Sequence, residues 1–350
     1  MTAGAITLAL DAMGGDAAPH MVVAGAERAL DQHPDVRFRV FGDEARVAAL
    51  LRSHPRLRAR SEFHHTSEVV ADDAKPTAAL RQARGSSMRL AVDAVRKHEC
   101  DAAISAGNTG ALMAMAKVLL RTLPGIDRPA IASVMPAAQR PVVILDLGAN
   151  AECDAANLVQ FALMGSVFAR TVLGVERPSV ALLNIGTEAL KGDDVVQQAA
   201  NLLRAGDLPI HFEGFVEGTG LMAGSVDVVV TDGFTGNVAL KVAEGTARLI
   251  IDRFRDTLAD SLAAKLGGLL ARRSLGRLKA KLDPQRYNGA MFLGLGGVVV
   301  KSHGAADAAG FANAINVAVD LVRGDANARI GEELAQHAPP VSGTVSGAAS

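Results

Sequence analysis

Tryptophan is absent from this 350-residue chain, tyrosine occurs once, at Tyr287, and aromatic residues make up 3% of it. A platform for stacking nucleic-acid bases is therefore excluded. Charge of one sign is lacking too. Lys and Arg number 36 and Asp and Glu 37, for a net charge of -1, which excludes a broad electrostatic coat on nucleic acid. Cysteine is scarce. Cys100 and Cys153 have no zinc-ligand spacing and cannot build a disulfide framework. They fit a reducing, cytosolic compartment, and each reads as a small buried hydrophobe. Uncharged runs reach about 15 residues, short of the roughly 20 that a spanning helix needs. The N-terminal ITLALDAMGGD has no basic n-region and meets Asp11 early, so it reads as a first strand and not as a signal peptide.

What is present suits a packed core: 49% of residues are apolar and 21% charged, and the length allows one large domain or two ordinary ones. Short apolar runs alternate with Ala-rich helical stretches. Strands are expected at Ile6–Leu10, Phe38–Phe41, Ala102–Ser105, Val142–Leu145, Val180–Asn184, Val226–Val230 and Val298–Lys301. Helices are expected at Ala18–Gln32, Ala78–His98, Gly110–Thr122, Asp154–Leu173, Val195–Arg204, Asn237–Leu258 and Ala306–Arg323. This alternation predicts an α/β fold with a mostly parallel sheet buried on both faces. There is no internal repeat and no linker-like stretch in the middle. One domain over 1–335 is expected, with a helical excursion at about 258–282 and a disordered tail over 336–350.

The 35 glycines cluster after the predicted strands. Asp11-Ala-Met-Gly-Gly-Asp16, Ser105-Ala-Gly-Asn-Thr-Gly110, Asp146-Leu-Gly-Ala-Asn150, Asn184-Ile-Gly-Thr187 and Thr231-Asp-Gly-Phe-Thr-Gly-Asn237 all follow one. Ligands of open α/β sheets bind at the carboxyl ends of strands, so five polar loops are expected to converge there. Glycine allows close backbone approach, and a helix starting directly after the loop adds free N–H donors; together these make an anion site, most naturally for phosphate. The candidate phosphate and substrate ligands are Asp11, Gly14, Gly15, Ser105, Gly107, Asn108, Thr109, Gly110, Asn150, Asp232, Thr235, Gly236 and His303. None of these loops reads GxGxxG or GxxxxGK[ST], so a standard dinucleotide fingerprint or P-loop is lacking.

Lys191 stands out among the lysines because it lies in a Gly-rich loop, GTEALKGD, on the C-terminal side of a strand. Lys241 sits one turn into the helix expected after Asn237, and Lys301 and His303 follow the strand Val298–Val300. Asn237 sits at an expected helix start, where it either donates to a ligand or caps the helix. His64 and His65 are adjacent on a strand and point to opposite faces, so they read as surface residues. Asp72-Asp73 and Asp193-Asp194 read as helix starts. No HExxH, GxSxG or Cys/His/Asp set supports metal or covalent-nucleophile chemistry.

From Ser261 to Leu282 the chain reads SLAAKLGGLLARRSLGRLKAKL, with six basic residues and no acid. A leucine stripe opposite a basic face describes either an interfacial membrane helix or an arm on a partner subunit. The candidate membrane contacts are Leu262, Leu266, Leu269, Leu270, Arg272 and Arg273.

The loops resemble one family. LALDAMGGD (8–16), ARGSSMRLAV (83–92), DAAISAGNTGALM (101–113), LDLGAN (145–150), QFALMGSVFA (160–169), ALLNIGTEALKGD (181–193), VVTDGFTGNVALK (229–241) and GGVVVKSHG (296–304) resemble, in order, the bacterial acyl-ACP:phosphate acyltransferases of phospholipid synthesis, the PlsX family. The resemblance runs from about Ile6 to Arg323 and omits the tail and the detail of the basic excursion. It implies a fold related to phosphotransacetylases and isocitrate/isopropylmalate dehydrogenases, a homodimer, and a cytoplasmic protein peripherally bound to the inner face of an anionic membrane. It implies acyl-ACP and inorganic phosphate as substrates and no cofactor. A downstream acyl-phosphate:glycerol-3-phosphate acyltransferase would consume the product. It also favours Lys191 and Asn237 as the catalytic pair, with the Ser105–Gly110 loop holding phosphate. The rival readings are a phosphotransacetylase-like enzyme that uses acyl-CoA, and a non-catalytic membrane-surface scaffold that binds acyl-ACP.

Overall fold

The computed structural model describes residues 5–206, 208–261, 267, 270–273 and 289–337. The elements in chain order are β1 (Thr7–Asp11), α1 (His20–Ala29), β2 (Arg37–Gly42), α2 (Glu44–Ser53), α3 (Pro55–Ala59), β3 (Ser61–His65), α4 (Pro76–Gln82) and α5 (Ser87–Arg96). Then come β4 (Ala102–Ser105), α6 (Thr109–Leu120), β5 (Ala130–Met135), β6 (Val142–Leu145), α7 (Ala155–Leu173), β7 (Ser179–Leu183) and α8 (Asp194–Ala205). The remainder are β8 (His211–Val216), α9 (Gly218–Ala223), β9 (Val228–Val230), α10 (Gly233–Ala259), β10 (Ala290–Leu293), β11 (Val298–Lys301), α11 (Ala308–Arg323) and α12 (Ala326–His337).

Among the described residues the strands form one sheet in the order β3-β2-β1-β4-β11-β10-β5-β6-β9-β7-β8. Central strands such as VVIL in β6 and VVV in β9 are buried throughout, as expected when helices cover both faces. Alternate residues feed two cores. Leu8 and Leu10 of β1 join α1, α7 and α11 on one face, where Phe161, Phe168 and Phe311 are fully buried. Ala9 joins α5 and α6, with Met88, Leu112 and Met115, on the other. α7 is long and apolar enough to cross a membrane, but it is largely buried in the first core. Cys100 lies buried and Cys153 partly so. Burial pushes their thiols up to about 12 and about 11, which fits inert packing groups.

Strand direction corrects the expectation that the five loops converge on one edge. β3, β2, β1, β4 and β11 are mutually parallel, and so are β6, β9, β7 and β8. Between the two blocks, the β11–β10, β10–β5 and β5–β6 pairs are all antiparallel. Three reversals turn the second block against the first. The loops after β1, β4 and β11 therefore lie at one end of the sheet, and those after β6, β7 and β9 at the other.

Other differences are local. The helix expected over Ala78–His98 is two, because Gly85 donates to Glu68 and Ser86 caps α5 by accepting from the Arg89 amide at 3.3 Å. The helix expected from Asn237 starts at Gly233, with Asp232 as its cap. Asp193 caps α8 and Asp194 opens it, whereas Asp72 and Asp73 lie in a turn ahead of α4. α12 runs to His337, past the expected start of the tail at 336; residues 338–350 lie outside the described residues. So do Leu262, Leu266 and Leu269; Leu270, Arg272 and Arg273 are exposed.

Gly165 sets the approach of α7 to the sheet. A Cβ there would lie 2.7 Å from Val228 Cγ1 and 2.8 Å from Leu145 Cδ2. Gly165→Val is expected to cost about 1–3 kcal/mol through overpacking, read as a lower urea midpoint at unchanged m-value.

Candidate active site

At the β1/β4/β11 end, Asp11 is 1% exposed. Its carboxylate accepts from Ser105 Oγ and Ser87 Oγ, each at 2.6 Å, and from the Met13 amide at 3.2 Å. Burial pushes its carboxyl up, and these bonds oppose the shift. Glycine is required beside it: a Cβ on Gly14 would lie 2.6 Å from both Asp11 Oδ2 and the Gly107 nitrogen. Gly15, at φ +103°, packs against Ala106 and Gly304. The Ser105 and Asn108 side chains, expected to face a ligand, hold these loops together instead. Ser105 Oγ also accepts from the Gly107 amide at 3.1 Å. Asn108 caps α6 and donates to the Asp72 and Ala74 carbonyls at 2.7 and 3.0 Å. Thr109 and Gly110 open α6.

Lys301 closes this end from β11. It is buried, and its ammonium donates to the carbonyls of Ala106, at 3.1 Å, and Ser302. Burial pulls it down to about 8, with Lys241 adding to the fall and Asp11, Asp72 and Asp16 opposing it. His303 is also pulled down by burial, with Lys241 and Lys301 adding to the effect and Glu244 and Asp16 opposing it.

At the other end, Asp146 is fully buried. It accepts from the amides of Ile131 (2.9 Å), Gly148 (3.2 Å), Ala149 (3.0 Å) and Asn150 (2.7 Å), and from Asn150 Nδ2 at 2.9 Å. Asn150 Nδ2 also donates to the Pro129 carbonyl at 2.8 Å, so this amide too serves the fold. The first turn of α10 presses on this loop. The Gly233 amide donates to the Asn150 carbonyl at 2.8 Å, and at Gly236 a side chain would run into the Asp146 carbonyl. Asp232 accepts from the Thr235 amide at 2.8 Å. The exposed Asn237 side chain stands over Gly148, with Cβ and Cγ 3.7 Å from where a Gly148 Cβ would lie.

Lys191 is exposed on the loop between β7 and α8. Its backbone is fixed: its amide donates to the Glu188 carbonyl at 3.0 Å, and its carbonyl accepts from Asn184 Nδ2 at 2.9 Å and from Gln197 Nε2. A cavity of about 580 Å³ opens between this loop and the start of α10, with Gly192, Asp193, Asp232 and Thr235 in its wall.

α10 joins the two ends. A helix rises 1.5 Å per residue, and positions i and i+4 share a face. Asn237 over the Gly148 loop is thus about 6 Å along the axis from Lys241. Lys241 bonds Glu244 at 2.8 Å, and both act electrostatically on His303. Asn237 and Lys191 thus belong to one end and Asp11, Lys301 and His303 to the other, with Lys241 reaching between. The organising carboxylate Asp146 and the buried Lys301 and Ser87 were not among the candidate ligands. For Asp146, the signal was an acid directly after a four-residue apolar strand and two residues before Gly148.

This architecture defines a class. The EutD phosphotransacetylase from Staphylococcus aureus superposes with a TM-score of 0.59 at 17% identity, covering 91% of this chain and 94% of its own. A 4-hydroxythreonine-4-phosphate dehydrogenase from Klebsiella pneumoniae gives 0.52 at 16%, covering 92% and 99%. The fold is thus the mixed α/β sheet shared by phosphotransacetylases and this dehydrogenase type. Sequence narrows it further. The family described as Fatty acid synthesis protein matches residues 6–329. The phosphate acyltransferase of Rhodospirillum centenum is 59% identical over 329 residues, covering 94% of this chain and 93% of its own. That of Rhodospirillum rubrum is 56% identical over 331 residues, covering 95% of each. The chain belongs to the fatty acid synthesis protein family, alongside these phosphate acyltransferases.

Asp146→Ala would strand the buried amides of Ile131 and Asn150, each worth about 1–3 kcal/mol when unpaired. A loss of roughly 2–4 kcal/mol is expected from urea unfolding. Lys301 gives a pH signature. Its native value, about 8, lies below the ordinary 10.5, so between them the unfolded chain binds more protons and stability rises with pH. Unfolding of wild type and Lys301→Met at pH 7.5 and 10 should show wild type gaining relative to the variant at pH 10.

Proposed function

We propose that the chain transfers the acyl group of a long-chain acyl-[acyl-carrier protein] to inorganic phosphate, releasing acyl-phosphate and free carrier protein for phospholipid synthesis. The observation that carries this reading is α10, which sets Asn237 and Lys241 one turn apart between two Gly-rich loop systems. Phosphate would sit on the side of Lys241, Lys301 and His303, against the helix-start amides of Thr109 and Gly110. It is largely dianionic near neutral pH and needs positioning more than a base. One of its oxygens attacks the thioester carbonyl carbon. Lys191 and Asn237 stabilise the tetrahedral oxyanion. The C–S bond then breaks, and the thiolate leaves with the bond's electron pair and takes a proton from water. A thiol titrates near 8.5, so no strong acid is required.

The partners follow from the chemistry and the surface. α10 exposes Phe234, Val238, Val242, Leu249, Ile250 and Phe254, an apolar face suited to a second copy of the chain in a homodimer. The basic 258–282 segment suits an anionic membrane on the cytoplasmic side, where a lipid product would pass to an acyl-phosphate:glycerol-3-phosphate acyltransferase.

Thiol release from hexadecanoyl carrier protein should require phosphate. Equal release without it would sink the proposal, and a preference for hexadecanoyl-CoA would shift it to the CoA-using rival. Lys191→Ala should lower kcat/KM by roughly two orders of magnitude in a folded protein, since this side chain is exposed. Asn237→Ala should act similarly with little stability loss, because Asp232 and not Asn237 caps α10. Full-length protein should co-sediment with anionic vesicles and release in high salt. Changing Leu269 and Leu270 to Glu should abolish that binding while sparing activity on soluble donor.

A further inference from the structure

The cavity at the Lys191 and Asn237 end has a lining that suits one part of the substrate. Its volume, about 580 Å³, lies within the range of small-molecule sites. The apolar surface of its wall comes from Leu183, Val195 and Val196, on β7 and α8, with Leu158, Leu182 and Val230 buried directly behind them. Among the described residues the lining holds no Lys or Arg and carries the carboxylates of Glu152, Asp193 and Asp232. Two of these are fixed by helix amides: Asp193 accepts from Val196 at 2.9 Å and Asp232 from Thr235 at 2.8 Å. Such a rim repels an anion and accepts a neutral, apolar group. Ile185, 82% exposed, extends the apolar wall outward.

We infer that this cavity seats the fatty acyl chain of the donor, an inference that rests on the acyl-transfer reading above. The geometry supports it at both ends. Gly192 in the wall adjoins Lys191, and Thr235 lies at the start of α10, the segment that also carries Asn237, so the cavity opens among the segments that bear the two proposed catalytic side chains. Phosphate reaches the thioester from the Lys241 side of α10, away from the three carboxylates. The same carboxylates disfavour a free fatty-acid anion, so the cavity distinguishes the neutral thioester from its hydrolysis product.

Two measurements test this on the full chain. Hexadecanol carrying a terminal diazirine, irradiated with the protein, should label peptides within 151–158 and 182–196. Unlabelled hexadecanol should compete and pantetheine should not. Labelling confined to other segments, no labelling, or competition by pantetheine would each overturn the assignment, the last giving the cavity to the carrier arm. In kinetics, Val196→Trp narrows the cavity. It should raise KM for a hexadecanoyl donor by about tenfold, the scale of lost hydrophobic-pocket contacts, and leave a butanoyl donor unchanged. An equal effect on both donors would overturn the inference while leaving the reaction intact. If wild type shows no phosphate-dependent transfer with either donor, the functional reading fails, and the labelling still decides what the cavity holds.

Discussion

Two buried carboxylates organise the glycine-rich loops at the two ends of this sheet. A carboxylate taken out of water is tolerated only when its oxygens find donors. Asp146 satisfies that need by folding the following loop back on itself and gripping the start of β5. Asp11 does so by binding Ser87 and Ser105 from two other elements. The close glycine contacts at Gly14, Gly233 and Gly236 follow, because loops drawn around a small anion leave no room for side chains. What faces solvent is then backbone and the few side chains not spent on the fold, Lys191 and Asn237 among them.

The same logic explains why a mixed sheet serves a site that a purely parallel one would place at a single edge. Three antiparallel pairings in the centre separate two sets of glycine-rich loops. α10 restores their proximity by starting in one set and carrying Lys241 toward the other. Its glycines at 233 and 236 let its first turn sit directly on the Asp146 loop, and this contact aligns the rest of the helix.

Much of this was legible in the sequence. Ala102–Ser105, Val142–Leu145 and Val298–Lys301 are strands residue for residue, because apolar runs closed by a polar residue and glycine have few other readings. The motif order identified the family. Strand direction was not legible, since local periodicity does not say which neighbour a strand pairs with. β3 and β8 were missed because their polar, His-bearing sequences are those of edges, β5 because no glycine-rich loop flags it, and β10 because AMFL is a four-residue run set among glycines at 289, 294, 296 and 297. Ser105, Asn108 and Asn150 looked like ligand donors, yet each meets an internal demand, from Asp11, the 72–74 turn and Asp146. Residue type alone cannot separate a donor aimed at substrate from one aimed at a buried acid or carbonyl.

The outermost strands carry a consequence for assembly. β3 reads SEFHH, with Glu62 paired to Arg39 at 3.0 Å and His64 stacked on Phe41. β8 reads HFEGFV; Gly214 sits at φ +97°, and the pairing with β7 slips between Val180 and Ala181. Charge, imidazole and a register slip each discourage a foreign strand from adding to an open edge. Continuous-sheet polymers are thereby disfavoured at both margins, and any contact between copies is left to helix surfaces, where orientation is fixed by side-chain shape and not by an indefinitely repeating ladder.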